Sequence, residues 1–158
     1  MSIDTVATSF SSDELRTLTA VLDEIVPPSH DGRLPGAGEA GLAATIDRLA
    51  RDKPELRPAL GEGLAAADSL ARARGAKGFA ELARDARLEV LNETAARAPA
   101  FLPGLVAQTI VAYYQVDRVR EALGFEARPP YPQGYPVEPT DFAILDPVRR
   151  REPFFRTP

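Results

Sequence analysis

Few side chains in this sequence could do chemistry, and those that could are poorly placed for it. Ser29, His30 and Asp31 are the three residue types of a hydrolytic triad. Because they are adjacent in sequence, they cannot adopt the triad geometry. His30 is the only histidine and there is no cysteine, which argues against a zinc site. We therefore predict no catalytic residue and no metal ligand in this chain.

Two further sequence patterns contain residues of known ligand-binding motifs but lack the spacing or the neighbouring elements that those motifs need. Gly36, Gly38 and Gly41 have the Gly-x-Gly-x-x-Gly spacing of a dinucleotide-binding loop. That loop follows a β-strand, whereas here a proline-containing loop precedes the glycines. Asp23, Glu24 and Asp31 could bind a hard cation but lack EF-hand spacing. We predict a tight helix entry at the glycines, solvated carboxylates at the end of the first helix, and no cofactor bound by this chain.

Length, charge and composition set the broad class. A chain of 158 residues is typical of one domain and buries about 70% of its unfolded surface. The net charge of −4, without a basic face, argues against nucleic-acid binding. The absence of cysteine excludes disulfides and iron–sulfur ligation. No apolar run reaches the about 18 residues of a membrane span, and the first residues show no signal peptide or twin-arginine motif. We expect a soluble cytoplasmic protein, with export alongside a partner left open.

The elements that position these residues are predicted to be helices. Apolar periodicity indicates an all-α bundle of about five helices over residues 1–125. Ser11 and Glu14 have the form of a capping box that begins the first helix, and Pro27 ends it. The remaining helices are predicted over residues 38–52, 55–74, 84–97 and 100–123. The last is expected to be central, because apolar residues surround nearly all of its middle.

The final segment, residues 126–158, has a different composition. It holds eight of the 15 prolines, so it cannot form a long helix. It is also rich in aromatic residues, which a chain normally buries. We therefore expect an extended, proline- and aromatic-rich C-terminal arm that lies either on the helical body or on another protein. The candidate partner-binding residues are Tyr114, Tyr131, Tyr135, Phe142, Leu145, Arg149, Arg150, Arg151, Phe154 and Phe155.

Four motifs, in order along the chain, resemble the gluconate 2-dehydrogenase subunit 3 family. They are Phe10 to Glu14 followed by Leu18, Asp23 and Ile25 to Pro27; Pro35 to Leu42 followed by Ile46 and Asp47; Phe79 to Leu82; and Tyr113 to Gly124 followed by Pro129 and Pro130, Gly134 and Tyr135, and Leu145 to Arg151. Each motif is weakly specific, and their order over nearly the whole chain carries the resemblance.

The resemblance implies a non-catalytic small subunit. Members of that family pair with a large flavoprotein of the glucose-methanol-choline type, which holds FAD and oxidises a sugar, a sugar acid or another alcohol. The small subunit supports folding, stability or export of the large one, in a chaperone-like way. The expected partner is thus a large FAD-dependent oxidoreductase subunit, with no cofactor in this chain. A cytochrome subunit is possible but not indicated. Because the sequence shows no twin-arginine signal, the complex either stays in the cytoplasm or is exported through the partner's own signal.

An alternative interpretation stays open at this point. The chain is then an independent helical protein or enzyme that binds a small ligand in a pocket near Tyr113, Tyr114 and His30. The two tyrosines differ by about 100° around a helix axis, so at least one is expected to leave the core.

Overall fold

The computed structural model describes residues 9–128, 134 and 138–152. The chain divides into two units at residue 127. The described residues form helices and turns and no strand, which confirms the all-α class. The α-helices of the first unit are α1 Ser12–Ile25, α2 Leu42–Asp52, α3 Arg57–Ala73, α4 Arg84–Arg97, α5 Phe101–Tyr113 and α6 Asp117–Ala122. The second unit contains α7 Asp146–Arg149.

The start of α1 and both ends of α4 agree with the sequence predictions. The Ser11 hydroxyl accepts a hydrogen bond from the Glu14 amide at 3.3 Å. The Glu14 carboxylate accepts one from the Ser11 amide at 2.8 Å, which completes the capping box. These two bonds satisfy amides that the first turn of the helix would otherwise leave unpaired.

The predicted fifth helix is broken in two. α5 ends at Tyr113, α6 begins at Asp117, and Val116 between them is extended. In a straight helix, Val119 would lie about 21 Å from Leu105 along the axis, since each residue rises 1.5 Å. The turn allows Val119 to be fully buried in the core instead. Core packing therefore overrides a sequence that is compatible with one continuous helix.

The core of the first unit consists of large apolar side chains contributed by α1 to α6 and the loops between them. The largest fully buried ones are Phe10, Phe79, Phe101, Leu18, Leu22, Leu42, Ile46, Leu64, Leu105, Val21, Val90 and Val119. α3 and α5 approach closely, because a Cβ atom at Gly63 would overlap the Phe101 ring. Such close packing means that most changes in side-chain volume here carry a cost in stability.

α5 lies at the edge of this core. Its buried side chains are Phe101, Leu105, Thr109 and Tyr113, which share one face. The expectation of a central helix is wrong. The apolar residues on the other face of α5 are exposed rather than covered by neighbouring helices.

The described part of the second unit is a short helical segment. A 3-10 turn, Phe142–Leu145, leads directly into α7. The Asp141 side chain caps the turn by accepting a hydrogen bond from the Ala143 amide at 2.9 Å. Arg149 pairs with Asp146 at 3.4 Å, one turn earlier in α7.

Candidate partner-binding surface

The exposed side of α5 is a continuous apolar surface. Successive helix residues are 100° apart, so the residues opposite the buried face of α5 lie on one side of the helix, along about 17 Å of its axis. This α5 outer face consists of Pro103, Val106, Ala107, Ile110, Val111 and Tyr114. The exposed fraction is 39% for Val106 and Ile110, 59% for Val111 and 56% for Tyr114. No residue of α5 is charged, whereas α4 carries acidic and basic side chains on its exposed face. An uncharged surface of this extent is typical of an interaction site.

A groove between α2 and α5 borders this outer face. One part is a cleft of about 40 Å³ at the N-terminal end of α5, and the next part is a cleft of about 170 Å³ near its C-terminal end. Ile46, Leu49 and Gln108 line both, so the two parts are continuous. Val111 lines the second cleft and also belongs to the α5 outer face. The groove and the outer face therefore form one surface.

The two adjacent tyrosines have different environments. Tyr113 is buried, and its hydroxyl donates a hydrogen bond to the Pro35 carbonyl at 2.7 Å. Burial raises the pKa of Tyr113, because the charged phenolate would lose its hydration. Tyr114 is exposed and packs edge-to-face on Tyr113, with ring centroids 5.6 Å apart. The expectation that one tyrosine leaves the core is confirmed, and Tyr114 is the one free to meet a partner.

The alternative pocket near the tyrosines gains no support. Four well-formed clefts in the described part of the chain are lined by other residues than Tyr113, Tyr114 and His30. His30 lies exposed in the loop after α1. The hydroxyl of Tyr113 is already bonded within the protein.

A polar cleft of about 150 Å³ between α1, α3 and the loop before α4 has balanced charge. Its charged side chains are Asp13, Asp68, Glu81, Arg16, Arg72 and Lys77. Three acidic and three basic groups give no preference for an anion or a cation. We assign no ligand to it.

The backbone amides of the glycine-rich loop donate hydrogen bonds to a carboxylate of the same chain. Asp23 accepts hydrogen bonds from the Gly38 amide at 2.8 Å and the Glu39 amide at 3.2 Å. A Cβ atom at Gly36 or Gly38 would overlap the Asp23 side chain. Gly41, with φ of 79°, then begins α2, so the predicted tight helix entry is confirmed. Because Asp23 occupies these amides, the loop does not offer them to a phosphate.

Other carboxylates hold loops onto the bundle, and their role could not be read from spacing. Glu24 is nearly buried and faces Arg84 and Arg87, each at 3.4 Å. Asp68 accepts hydrogen bonds from the Thr17 hydroxyl at 3.0 Å and the Phe79 amide at 2.9 Å. The expectation of solvated carboxylates at Asp23 and Glu24 is wrong, because both are bonded to other segments. Among the residues described, no group of three or more acidic or histidine side chains is arranged to hold a metal ion.

Asp47 holds the start of the described chain in the same way. Its carboxylate accepts hydrogen bonds from the Ser9 amide at 2.7 Å and the Phe10 amide at 2.9 Å. The Arg57 guanidinium lies over the Phe10 ring, 4.2 Å from its centre, and donates to the Ser9 carbonyl at 3.0 Å. The motif residues Phe10 and Asp47 therefore serve packing.

The remaining predicted binding residues lie in the second unit. Phe142 and Leu145 are exposed by 60% and 41%, and the arginines Arg149, Arg150 and Arg151 are exposed beside them in sequence. The same segment also exposes Ile144, another apolar residue of the predicted arm, and Val148, which the sequence did not single out. Tyr131, Tyr135, Phe154 and Phe155 lie outside the described residues. One short segment thus combines apolar and basic side chains.

Sequence reasoning missed Val106, Ile110 and Val111. The apolar middle of their helix predicted burial on nearly all sides, whereas the structure exposes these three residues on the α5 outer face. The available signal was the lack of any charged residue over the whole of α5. That pattern is typical of a helix buried on all sides or of a helix that docks a partner.

None of the described helices alone is long and apolar enough to cross a bilayer. α4 and α5 reach that length and composition only as a pair, and the pair is bent by 119°.

Comparison with known proteins gives one family match. The model of the family described as gluconate 2-dehydrogenase subunit 3 matches residues 12–127. Searches among curated proteins and among solved structures returned no match. The matched residues end where the first unit ends, so the motifs placed between Pro129 and Arg151 lie beyond them. Since the match covers most of the chain, this protein belongs to the gluconate 2-dehydrogenase subunit 3 family, whose name denotes one subunit of a dehydrogenase complex.

Proposed function

We propose that this protein is a non-catalytic small subunit that binds and stabilises a large FAD-dependent sugar or alcohol oxidoreductase subunit. The observation that carries the proposal is the α5 outer face, where Val106, Ile110, Val111 and Tyr114 are exposed without a charged neighbour on the helix. Covering a partly exposed Val or Ile side chain stabilises a complex by about 1 kcal/mol. Burying several such side chains on one face of the helix therefore stabilises a complex substantially.

The internal bonding of the polar groups supports a structural subunit. The carboxylates of Asp23, Glu24 and Asp47 each hold another segment of the bundle and line none of the clefts described above. A catalytic group needs to face a cleft where substrate can approach it. The chemistry of the complex then belongs to the large subunit, where we place the FAD and the substrate site.

The second unit offers the same partner a different kind of contact. Phe142 and Leu145 provide apolar area, and the following arginines can form paired hydrogen bonds with carboxylates. We expect the matching surface of the large subunit to combine an apolar patch with acidic residues. A complex located in the cytoplasm stays a prediction.

The experiment starts from the complex as the cell makes it. Tagged protein is isolated from its own organism, and the copurifying chain is identified by mass spectrometry and assayed for FAD. That flavoprotein is then produced alone and together with this protein. We expect it to be soluble and loaded with FAD only when both are present, while this protein alone binds no flavin and turns over no substrate. A flavoprotein that is fully soluble, FAD-loaded and active alone contradicts the proposal.

A further inference from the structure

The segment 101–123 carries one largely apolar stripe that continues across the break between α5 and α6. Its residues are alternately three and four positions apart, which is the heptad spacing of a single helix face, and they are Leu102, Leu105, Thr109, Ala112, Val116, Val119 and Leu123. The sequence has no proline or glycine between Leu105 and Leu123. The segment therefore contains no local signal for a break, and its own pattern favours one continuous helix.

The break consists of one tightened turn and one extended residue. The Gln115 and Val116 amides bond three residues back, to the carbonyls of Ala112 and Tyr113, both at 3.1 Å. Val116 is extended, with ψ of 123°. A continuous helix would instead bond each amide to the carbonyl four residues back. Straightening the segment thus requires a backbone change at residues 114–116 and replaces these hydrogen bonds by regular ones.

α6 is held on the core chiefly by one side chain. Val119 is fully buried, and it is the one buried residue of α6, all of whose residues the structure describes. Arg33, from the loop after α1, donates a hydrogen bond to the Ala122 carbonyl at 3.0 Å. Arg118 pairs with Glu39 of the same loop at 3.3 Å. Both contacts are exposed to water and contribute little to stability.

We propose that residues 114–116 are a hinge between two states of the segment 101–123, the bent state described above and a continuous helix in which α6 extends α5. Burial of Val119 is the latch that favours the bent state. The straight state loses this burial and gains regular helix hydrogen bonds, so a small change in free energy moves the equilibrium between them. α6 is the last helix before residue 127, where the first unit ends, so the hinge determines where the chain leaves this unit. The hinge is a property of the free protein and does not depend on the proposed partner.

The test measures one distance across the hinge in the full-length protein. Spin labels are attached to Gly104→Cys and Glu121→Cys, since the chain has no cysteine of its own. Both positions are exposed, and a Cβ atom at Gly104 meets no neighbour within 4 Å. In a continuous helix the two Cα atoms are about 26 Å apart, because each residue rises about 1.5 Å, and the bend makes this distance shorter. Double electron–electron resonance gives the distribution of distances.

Two substitutions open the latch to different degrees. Val119→Glu cannot keep its carboxylate in the apolar core, whereas glutamate suits an exposed helix position. We expect the distance near 26 Å, at most a minor component in the wild type, to become the main one. Val119→Ala removes two buried methyl groups and should raise the ratio of straight to bent molecules at least about tenfold. Val90→Ala, at an equally buried valine of α4, is the matched control and should leave the distances unchanged.

Each outcome supports or overturns the hinge. A folded Val119→Glu protein that keeps the short distance overturns it. A broad distribution of distances also does, because α6 then unfolds instead of extending α5. If circular dichroism shows that Val119→Glu unfolds the whole bundle, Val119→Ala decides. An unchanged distribution in Val119→Ala, or the same change in Val90→Ala, overturns the hinge.

Discussion

Phe79 in the first unit is fully buried, whereas Phe142 in the second unit is 60% exposed. The same contrast holds for the neighbouring polar groups. The Phe79 amide is bonded to Asp68 from α3, while Asp141 and Asp146 of the second unit bond within a few residues of themselves. The first unit thus uses its aromatic and acidic residues to hold distant segments together. The described part of the second unit keeps comparable residues at the surface, as a segment that binds a partner does.

α5 combines both patterns in one helix. Its inner face, with Phe101 and Leu105, belongs to the core, and its outer face, with Ile110 and Val111, is as exposed as the second unit. The family match covers α5 but not the second unit. The α5 outer face is therefore the part of the candidate surface that lies within the family match.

The largest expected effect is a difference in unfolding free energy between two Phe→Ala variants, one in each unit. Phe79→Ala should lower the free energy of unfolding by about 4 kcal/mol, because it empties a closely packed site. Phe142→Ala should change it by less than about 0.5 kcal/mol, since the ring is mostly exposed. Urea unfolding of both variants followed by circular dichroism measures the difference. Equal losses of unfolding free energy in the two variants would contradict the contrast between the units.

An intermediate effect is expected for two aspartates. Asp68→Ala leaves the Thr17 hydroxyl and the Phe79 amide without their acceptor and should cost about 2 kcal/mol of unfolding free energy. Asp146→Ala removes only an exposed pair with Arg149 and should leave thermal unfolding unchanged. Differential scanning calorimetry compares the two variants. A comparable loss in Asp146→Ala would show that the second unit also depends on its polar contacts.

The smallest effect concerns pH and the capping box of the first unit. Burial by itself would raise the pKa of Glu14, but hydrogen bonds from the Ser11 amide and hydroxyl and from Arg57 outweigh it, so the pKa is lowered. A lowered pKa in the folded state means that the ionised group stabilises the fold above its ordinary value of 4.5, and that this stability is lost as pH falls through the folded pKa.

Glu14→Gln tests this by urea unfolding at a series of pH values. We expect the wild type to be more stable than the variant near neutral pH, and the difference to shrink as pH falls below 4.5. Ser11→Ala, which removes one donor to Glu14, should reduce the same pH-dependent part. If the difference between wild type and Glu14→Gln stays constant through this range, the carboxylate does not contribute as described.

Local rules predicted the parts of the fold that depend on neighbours in sequence. The capping box at Ser11, the bounds of α4 and the glycine entry to α2 each depend on a few adjacent residues, and all were confirmed. The break after Tyr113 was not predictable, because residues 101–123 are compatible with one helix and only burial of Val119 selects the turn. Distant partners explain the other errors. Nothing near Asp23 or Glu24 in sequence reveals the amides and arginines that they meet.

The candidate site was predictable in part. The 100° between Tyr113 and Tyr114, a local property of a helix, predicted that at least one of them leaves the core, and the structure exposes Tyr114. Val106, Ile110 and Val111 lie on the helix that was expected to be central, since an apolar residue at a protein interface looks the same in sequence as one in a core. Only the three-dimensional position of α5 at the edge of the bundle distinguishes them.

The most direct test of the α5 outer face as the docking surface is the affinity of Val111→Asp for the purified flavoprotein, measured beside Leu88→Asp. Both substitutions place a carboxylate at an exposed apolar position of a helix, since Val111 is 59% and Leu88 42% exposed. Each should alter the unfolding free energy by less than about 1 kcal/mol. We expect Val111→Asp to weaken the complex at least about thirtyfold, because it buries a charge at an apolar interface, and Leu88→Asp to bind as the wild type does. Wild-type affinity in Val111→Asp, with the complex intact, would contradict docking through α5.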